Sequence, residues 1–171
     1  MSGFFSGLFK AGPKSDEAVL DILKRVPIFE GLSARELSSV ERIMHRREYL
    51  PEEAVIHQDS AGFGMYIIVK GTVDIIHEPA GQVIATLHDG EFLGELSLLD
   101  NSPRSATVIA KTHCKMLGFF QPDLFGLIEH DPRLGVKIVS RLSGLIGDRL
   151  RKSNEQVQAL QIELGELKAK Q

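Results

Sequence analysis

The sequence predicts a mainly β fold: a jelly-roll β-barrel preceded by N-terminal helices and followed by a long C-terminal helix. Two observations carry this prediction. Between residues 47 and 120, short β-branched runs alternate with Gly, Pro, Asp and Asn, a pattern typical of short strands joined by tight turns. On both sides of that zone, apolar residues recur at helical spacing. A parallel sheet would need helices between the strands, and only residues 94–100 offer a short candidate.

The zone from residue 15 to residue 46 is predicted to be helical. Ser15 is a suitable N-cap for an apolar run that stops at Pro27. Ser33 and Glu36 have the spacing of a capping box, which predicts that a second helix opens there.

The zone from residue 47 to residue 120 contains the predicted strands. Glycines such as Gly71 and Gly81 separate neighbouring runs, as the tight turns of hairpins require. The close spacing of the runs favours an antiparallel barrel or sandwich. We expect strands at residues 54–56, 65–69, 72–76, 82–87, 107–109 and 115–120.

The zone from about residue 122 onward is helical again, and Pro132 fits the first turn of a long helix. Its apolar residues follow a single seven-residue frame in which Ser153 fills the one polar position. That pattern predicts a short coiled coil, and with it a homodimer through the C-terminal helix. The alternative is a long amphipathic helix folded back on its own barrel. The frame consists of Ile146, Leu150, Val157, Leu160, Leu164 and Leu167.

These zones define the predicted domain organisation: an apolar tail at 1–14, a domain of helices and barrel at 15–131, and the long helix at 132–171. The tail is a candidate for contact with a partner or a membrane surface, and the alternative is a loose chain end. Its large apolar residues are Phe4, Phe5, Leu8 and Phe9.

Composition limits the classes of function. The 171 residues carry 20 Lys and Arg against 23 Asp and Glu, and the formal net charge of −3 disfavours a general nucleic-acid binder. Cys114 is the only cysteine, which excludes an intramolecular disulfide and a thiolate metal cage. No run reaches the roughly 18–20 uninterrupted apolar residues of a membrane span. We therefore expect a cytoplasmic protein without a metal or a cofactor.

One segment has the chemistry of a nucleotide site. Gly94 permits close backbone approach, and a short helical turn after it can present free N–H groups to an anion. Arg104 supplies a planar guanidinium suited to phosphate. A carboxylate such as Glu95 is unfavourable beside a bound anion unless its own partner is a neutral hydrogen-bond donor. A ribose hydroxyl is such a donor. The alternative is that Glu95 and Arg104 pair with each other across a loop.

This segment resembles the phosphate-binding cassette of cyclic-nucleotide-binding domains. The resemblance rests on Gly-Glu-Leu-Ser-Leu at 94–98 and Pro-Arg-Ser-Ala-Thr at 103–107. Residues 27–32 are similar to the motif at the start of such domains, and residues 65–73 to their central hairpin. The family includes bacterial catabolite activators, regulatory subunits of cAMP-dependent kinase and nucleotide-gated channels.

The resemblance implies a role for each residue of the motif. Glu95 would accept a hydrogen bond from the ribose 2′-hydroxyl, and Arg104 would bind the cyclic phosphate bidentately. Both charged residues are present, so the resemblance implies a functional pocket. The residues implied to line the phosphate are Gly94, Leu96, Ser97 and Ser105.

Base recognition is implied to come from the long helix. Matching that helix to the catabolite activators places Ser153 and Asn154 at the purine, where either can donate or accept. The alternative is that Ser153 is only a tolerated polar residue of the coil. Ser105 directly after Arg104 is typical of cAMP sites, whereas Thr at that position is typical of cGMP sites. We therefore expect cAMP as the ligand rather than cGMP.

An enzyme is not expected. The six histidines are scattered, and neither a metal-ligand spacing, a nucleophile elbow nor a P-loop is present. Catabolite activators continue into a winged helix-turn-helix, but no recognition helix or basic patch follows the coil here. We expect a sensor that shifts its C-terminal helix on ligand binding and signals to a protein partner, without DNA binding by this chain. The alternatives are the sensor part of a DNA-binding regulator and an interaction scaffold with an empty pocket.

Overall fold

The computed structural model describes residues 17–169 and confirms the predicted fold class. Two four-stranded antiparallel sheets face each other, with helices on one side and a long helix at the end of the chain. The helices are α1 (Glu17–Leu23), α2 (Ala34–Ile43), α3 (Gln121–His130) and α4 (Pro132–Ala169). The strands are β1 (His45–Tyr49), β2 (Ala54–Ile56), β3 (Gly64–Lys70), β4 (Val73–His77), β5 (Gln82–Leu87), β6 (Phe92–Leu93), β7 (Thr107–Ala110) and β8 (Cys114–Phe120).

The sheets have strand orders β1-β8-β3-β6 and β2-β7-β4-β5. All six predicted runs form strands, β2 and β5 with the predicted bounds. Two strands were not predicted. His45 and Arg46 belong to β1, so the prediction of helix up to residue 46 is wrong at its end. The polar run from His45 to Tyr49 lacks an apolar alternation because no residue of β1, an edge strand paired with β8, is fully buried.

The N-terminal helices follow the local signals with one difference. The capping box is confirmed: Ser33 Oγ accepts from the Glu36 N–H at 3.3 Å, and Glu36 Oε2 accepts from the Ser33 N–H at 2.8 Å. α1 ends at Leu23, well before Pro27, because the last turn tightens into i→i+3 hydrogen bonds. The predicted N-cap Ser15 and the apolar tail at 1–14 lie outside the described residues.

Alternation along β3 divides the core into two layers. Met65 and Ile67 face the helices, where they pack with Leu117 and Phe119 of β8. Ile68 belongs to the layer between the two sheets. The cassette segment, residues 94–107, begins where both layers meet, since Leu93 directly before it lies between the sheets and Leu98 within it lies in the helical layer. This position holds the segment between the barrel and the helices.

α4 has two different halves. Leu134, Ile138 and Leu142 recur once per turn and are fully buried against the rest of the domain. Every residue from Asp148 to Lys168 is exposed. None of the described helices, α4 included, combines the length and the apolar character needed to cross a membrane.

Two ion pairs fasten the first half of α4 to the N-terminal helical region. Lys137 Nζ lies 2.6 Å from Glu36 Oε1, and Arg141 Nη1 lies 3.4 Å from Glu30 Oε2. Because both acids precede the barrel in the sequence, these pairs connect the two helical ends of the domain.

Candidate functional site

Gly94 sets the geometry of the candidate site. Its φ of 78° is in the left-handed region, which favours glycine, and a 3₁₀ turn over Glu95–Leu98 follows it. A Cβ at this position would lie 3.1 Å from the Gly64 carbonyl oxygen and closer still to the Arg104 guanidinium. Gly94 therefore serves both the turn and the approach of Arg104 to its backbone.

Arg104 is a half-buried cation held by backbone carbonyls. Its Nη2 donates to the Gly64 carbonyl at 2.6 Å, and its Nη1 donates to the Gly94 carbonyl at 3.4 Å. Burial lowers the pKa of the guanidinium, and the opposing effects of Tyr66 and Glu95 are smaller. Arginine nevertheless stays charged at neutral pH. No carboxylate forms an ion pair with Arg104 within residues 17–169.

Glu95 is a buried carboxylate, 3% exposed, and its partner is Arg149 of α4. Arg149 Nη1 donates to Glu95 Oε1, and its guanidinium also lies over the Phe92 ring at 5.4 Å from the centroid. The alternative in which Glu95 pairs with Arg104 is therefore wrong. The ion pair instead joins the cassette segment to the long helix.

The other residues of the cassette differ in their accessibility. Ser97 is buried, and its N–H donates to the Gly94 carbonyl at 3.1 Å within the turn. The expectation that this N–H is free for an anion is therefore not met. Leu96 and Ser105 are exposed, and the Leu96 N–H makes no backbone hydrogen bond within the described residues.

Ser153 and Asn154 are exposed on α4 and make no hydrogen bond to the cassette in the described structure. Ser153 lies one helical turn beyond Arg149, on the same face of α4. The structure thus brings Gly94, Glu95 and Arg104 together, and it places Ser153 on the helix face that carries Arg149.

A cavity of about 200 Å³ lies beside Arg104. Its walls include the aromatic rings of Tyr66 and Phe120, and β2 contributes Ile56. Ligand pockets commonly measure roughly 300–1,000 Å³. This cavity is therefore smaller than that range. In the described part of the chain, no cluster of three or more His, Cys, Asp or Glu residues is arranged to hold a metal ion.

Sequence reasoning missed Arg149 and Gly64. Arg149 had a usable signal, since it precedes Ser153 by four residues and so shares its helix face. The role of Gly64 had no sequence signal, because the group that accepts from Arg104 is a backbone carbonyl, which every residue has.

Comparison with known proteins decides the family. The family profile described as cyclic nucleotide-binding domain matches residues 46–131, just over half of the chain. The chain belongs to the cyclic nucleotide-binding domain family. The match includes the turn at Gly94, Glu95 and Arg104.

Individual proteins of known name match parts of this chain as well. The cyclic AMP receptor protein of Thermus thermophilus is 29% identical over 144 residues, covering 82% of this chain and 65% of that protein. A cAMP-dependent protein kinase regulatory subunit of Mycosarcoma maydis is 42% identical over 90 residues, covering 52% of this chain and 17% of the subunit. The chain therefore spans less than two thirds of the length of these relatives.

A solved structure of the family confirms the architecture. The N-terminal domain of a transcriptional regulator from Streptomyces coelicolor superposes with a TM-score of 0.69 at 27% identity. The superposition covers 80% of this chain and 94% of that domain. The architecture of this chain is therefore shared with that domain.

Proposed function

We propose that this chain is a non-catalytic sensor of a cyclic nucleotide, with cAMP preferred over cGMP. The observation that carries the proposal is Arg104: a desolvated guanidinium that lacks a carboxylate partner among residues 17–169. Burying a charge is costly unless it is paired. A cyclic phosphate, a monoanion that accepts two parallel hydrogen bonds, would supply the missing countercharge.

The ion pair between Glu95 and Arg149 would transmit nucleotide binding to α4. In the structure, Glu95 accepts a hydrogen bond from Arg149 of α4. A ribose hydroxyl donating to the same carboxylate would share or displace that hydrogen bond. Nucleotide binding would thereby bias the position of α4, and only its differential affinity for the two positions can shift the equilibrium. Ser153 and Asn154, beyond Arg149 on α4, are proposed to select the base.

The exposed half of α4 supports a homodimer. Leu150, Val157 and Leu160 lie on the predicted seam and are 49–64% exposed. Beyond Arg149, every residue from Leu150 to Lys168 is exposed, so the domain itself leaves this apolar seam uncovered. We propose that a second copy covers this seam as a coiled coil, so that ligand binding changes the geometry of the dimer.

A calorimetric titration with cAMP and with cGMP tests the proposal. Glu95→Gln removes the carboxylate charge, and Arg104→Lys keeps the charge but loses the bidentate fork. Arg151→Lys is the matched control, because Arg151 is an exposed arginine of α4 paired only with Asp148.

The expected result is saturable binding of cAMP, weakened at least tenfold by both site variants and unchanged by the control. Cyclic GMP is expected to bind more weakly. If neither nucleotide binds, the proposal fails, and the chain is either an interaction scaffold or a receptor for a different nucleotide. Binding unaffected by Arg104→Lys would refute the role given to Arg104.

A second candidate function follows from the match to a domain of a transcriptional regulator. In that reading the chain is the sensor part of a larger DNA-binding regulator. The coding sequence downstream of residue 171 in the genome distinguishes the two, because a regulator would continue in frame into a helix-turn-helix.

A further inference from the structure

Residues 57–64, the loop after β2 together with Gly64 at the start of β3, are joined to the cassette by their backbone. The Arg104 N–H donates to the Ser60 carbonyl at 2.9 Å, and the Asp59 N–H donates to the Arg104 carbonyl at 2.9 Å. Next to these bonds, Ala61 forms an isolated antiparallel bridge with Pro103. We call residues 57–64 the clasp loop. Its backbone therefore holds the backbone of Arg104 in place.

The same loop also holds the guanidinium. The Gly64 carbonyl accepts from Arg104 Nη2 at 2.6 Å, the shorter of the two hydrogen bonds that this group makes to carbonyls. The clasp loop therefore contacts Arg104 both at its backbone and at its charged end.

Gly62, within the clasp loop, lies against the other end of the cassette. A Cβ at Gly62 would be 2.8 Å from Ser97 Cβ and closer still to Ser97 Oγ. It would also lie 3.1 Å from the Ser102 carbonyl oxygen. Real Cβ atoms essentially never approach a neighbour within 3.0 Å, so any side chain here would force Ser97 to move.

Backbone conformation does not explain this glycine. Gly62 is not among the residues with positive φ, so an alanine could adopt its backbone angles. The requirement for glycine is the close approach itself. Gly62 contacts the turn through Ser97 and the segment before Arg104 through Ser102, which means that it sets the gap between the two ends of the cassette.

We propose that Gly62 is a positioning residue of the nucleotide site. Because it has no side chain, Ser97 and Ser102 close to the separation at which the turn after Gly94 and the Arg104 guanidinium face the same anion. A methyl group at Gly62 would act as a wedge that opens this gap. The inference rests on the proposed function, since the anion is the cyclic phosphate.

The test is a two-by-two set of variants: wild type, Gly62→Ala, Ser97→Gly, and the double variant. Ser97→Gly removes the atoms that the new methyl group would meet. Gly126→Ala is the matched control, because Gly126 lies in α3 and a Cβ there meets nothing within 4 Å. The readouts are cAMP affinity by calorimetry, the folded fraction by circular dichroism, and the NMR signal of the Arg104 Nε–Hε group in the ligand-free protein.

We expect Gly62→Ala to weaken cAMP binding at least tenfold and to shift the Arg104 Nε–Hε signal while the protein stays folded. In the Ser97→Gly background, Gly62→Ala should weaken cAMP binding by less than about threefold. Wild-type affinity with an unmoved Arg104 signal in Gly62→Ala would overturn the inference, as would an equal loss in both backgrounds.

Two further outcomes are also decisive. If Gly62→Ala fails to fold, the double variant must fold for the inference to stand, because the clash with Ser97 is then removed. If the wild type binds no cyclic nucleotide, the proposed function fails and this inference fails with it. Wild-type binding that Gly62→Ala leaves unchanged refutes this inference alone.

Discussion

Replacing Arg149 with methionine tests the coupling between the cassette and α4 without any ligand. Methionine keeps most of the aliphatic part of the side chain beside Phe92. It removes the charged guanidinium that donates a hydrogen bond to Glu95. Removing one partner of a buried ion pair costs about 3–5 kcal/mol, whereas exposed pairs contribute about 0–1 kcal/mol.

The structure places this pair between those limits. Glu95 is 3% exposed, but Arg149 is 52% exposed, so water can partly replace the lost guanidinium. We therefore expect Arg149→Met to lower the free energy of unfolding by about 2 kcal/mol. At about 2–4 °C per kcal/mol for a chain of this size, the melting temperature should fall by roughly 4–8 °C.

Urea unfolding of a double-mutant cycle with Glu95→Gln gives the coupling energy directly. In the Gln background no buried carboxylate remains to be left unpaired, so Arg149→Met should cost less than about 0.5 kcal/mol. Arg151→Met is the control, since it breaks only an exposed pair with Asp148. Equal costs of Arg149→Met in the two backgrounds would show that the ion pair does not couple the cassette to α4.

Three further predictions address the helices. Hydrogen bonding to Lys137, followed by that to Ser33, lowers the pKa of Glu36 from 4.5 to about 2. The stability that this ionised carboxylate contributes is therefore present above pH 4.5 and is lost as the pH falls toward 2. Because the pair is exposed, Glu36→Gln should reduce the pH-dependent part of the free energy of unfolding by at most about 1 kcal/mol, as urea unfolding at several pH values would show. Leu160→Glu should shift the chain from dimer to monomer in analytical ultracentrifugation without changing its circular dichroism per residue, and an unchanged dimer would rule out the seam. Ser153→Ala should reduce the ratio of cAMP to cGMP affinity more than it reduces cAMP affinity itself, as competition binding would show.

Local signals in the sequence were sufficient for most of the fold. The capping box at Ser33 and Glu36 is a local interaction, and the β-branched runs that form β3 and β4 are bounded by turn residues. β1 was missed because an edge strand with one partner needs no apolar alternation. β6 was missed because two residues are too few to show a period.

The site was predictable only where its residues are close in sequence. Gly94, Glu95 and Arg104 lie within one motif, and the structure brings them together. Arg149 is 54 residues from Glu95, and although its spacing places it on the helix face of Ser153, that local pattern does not identify Glu95 as its partner. The crowding of Gly62 against Ser97 is likewise a property of packing, since a glycine in a loop has many explanations.

The fastening of α4 near one end makes it a lever. The helix has 38 residues, about 57 Å at 1.5 Å per residue, and its buried anchors all precede Leu145. From Arg149 to Ala169 the free arm is about 30 Å long. A tilt of about 5° at Arg149, small enough to follow from one rearranged hydrogen bond, would displace the far end by about 2.6 Å. A displacement of that size is comparable to half a helical turn, so in the proposed dimer an angular change at the cassette would be large enough to alter the packing of the partner helix.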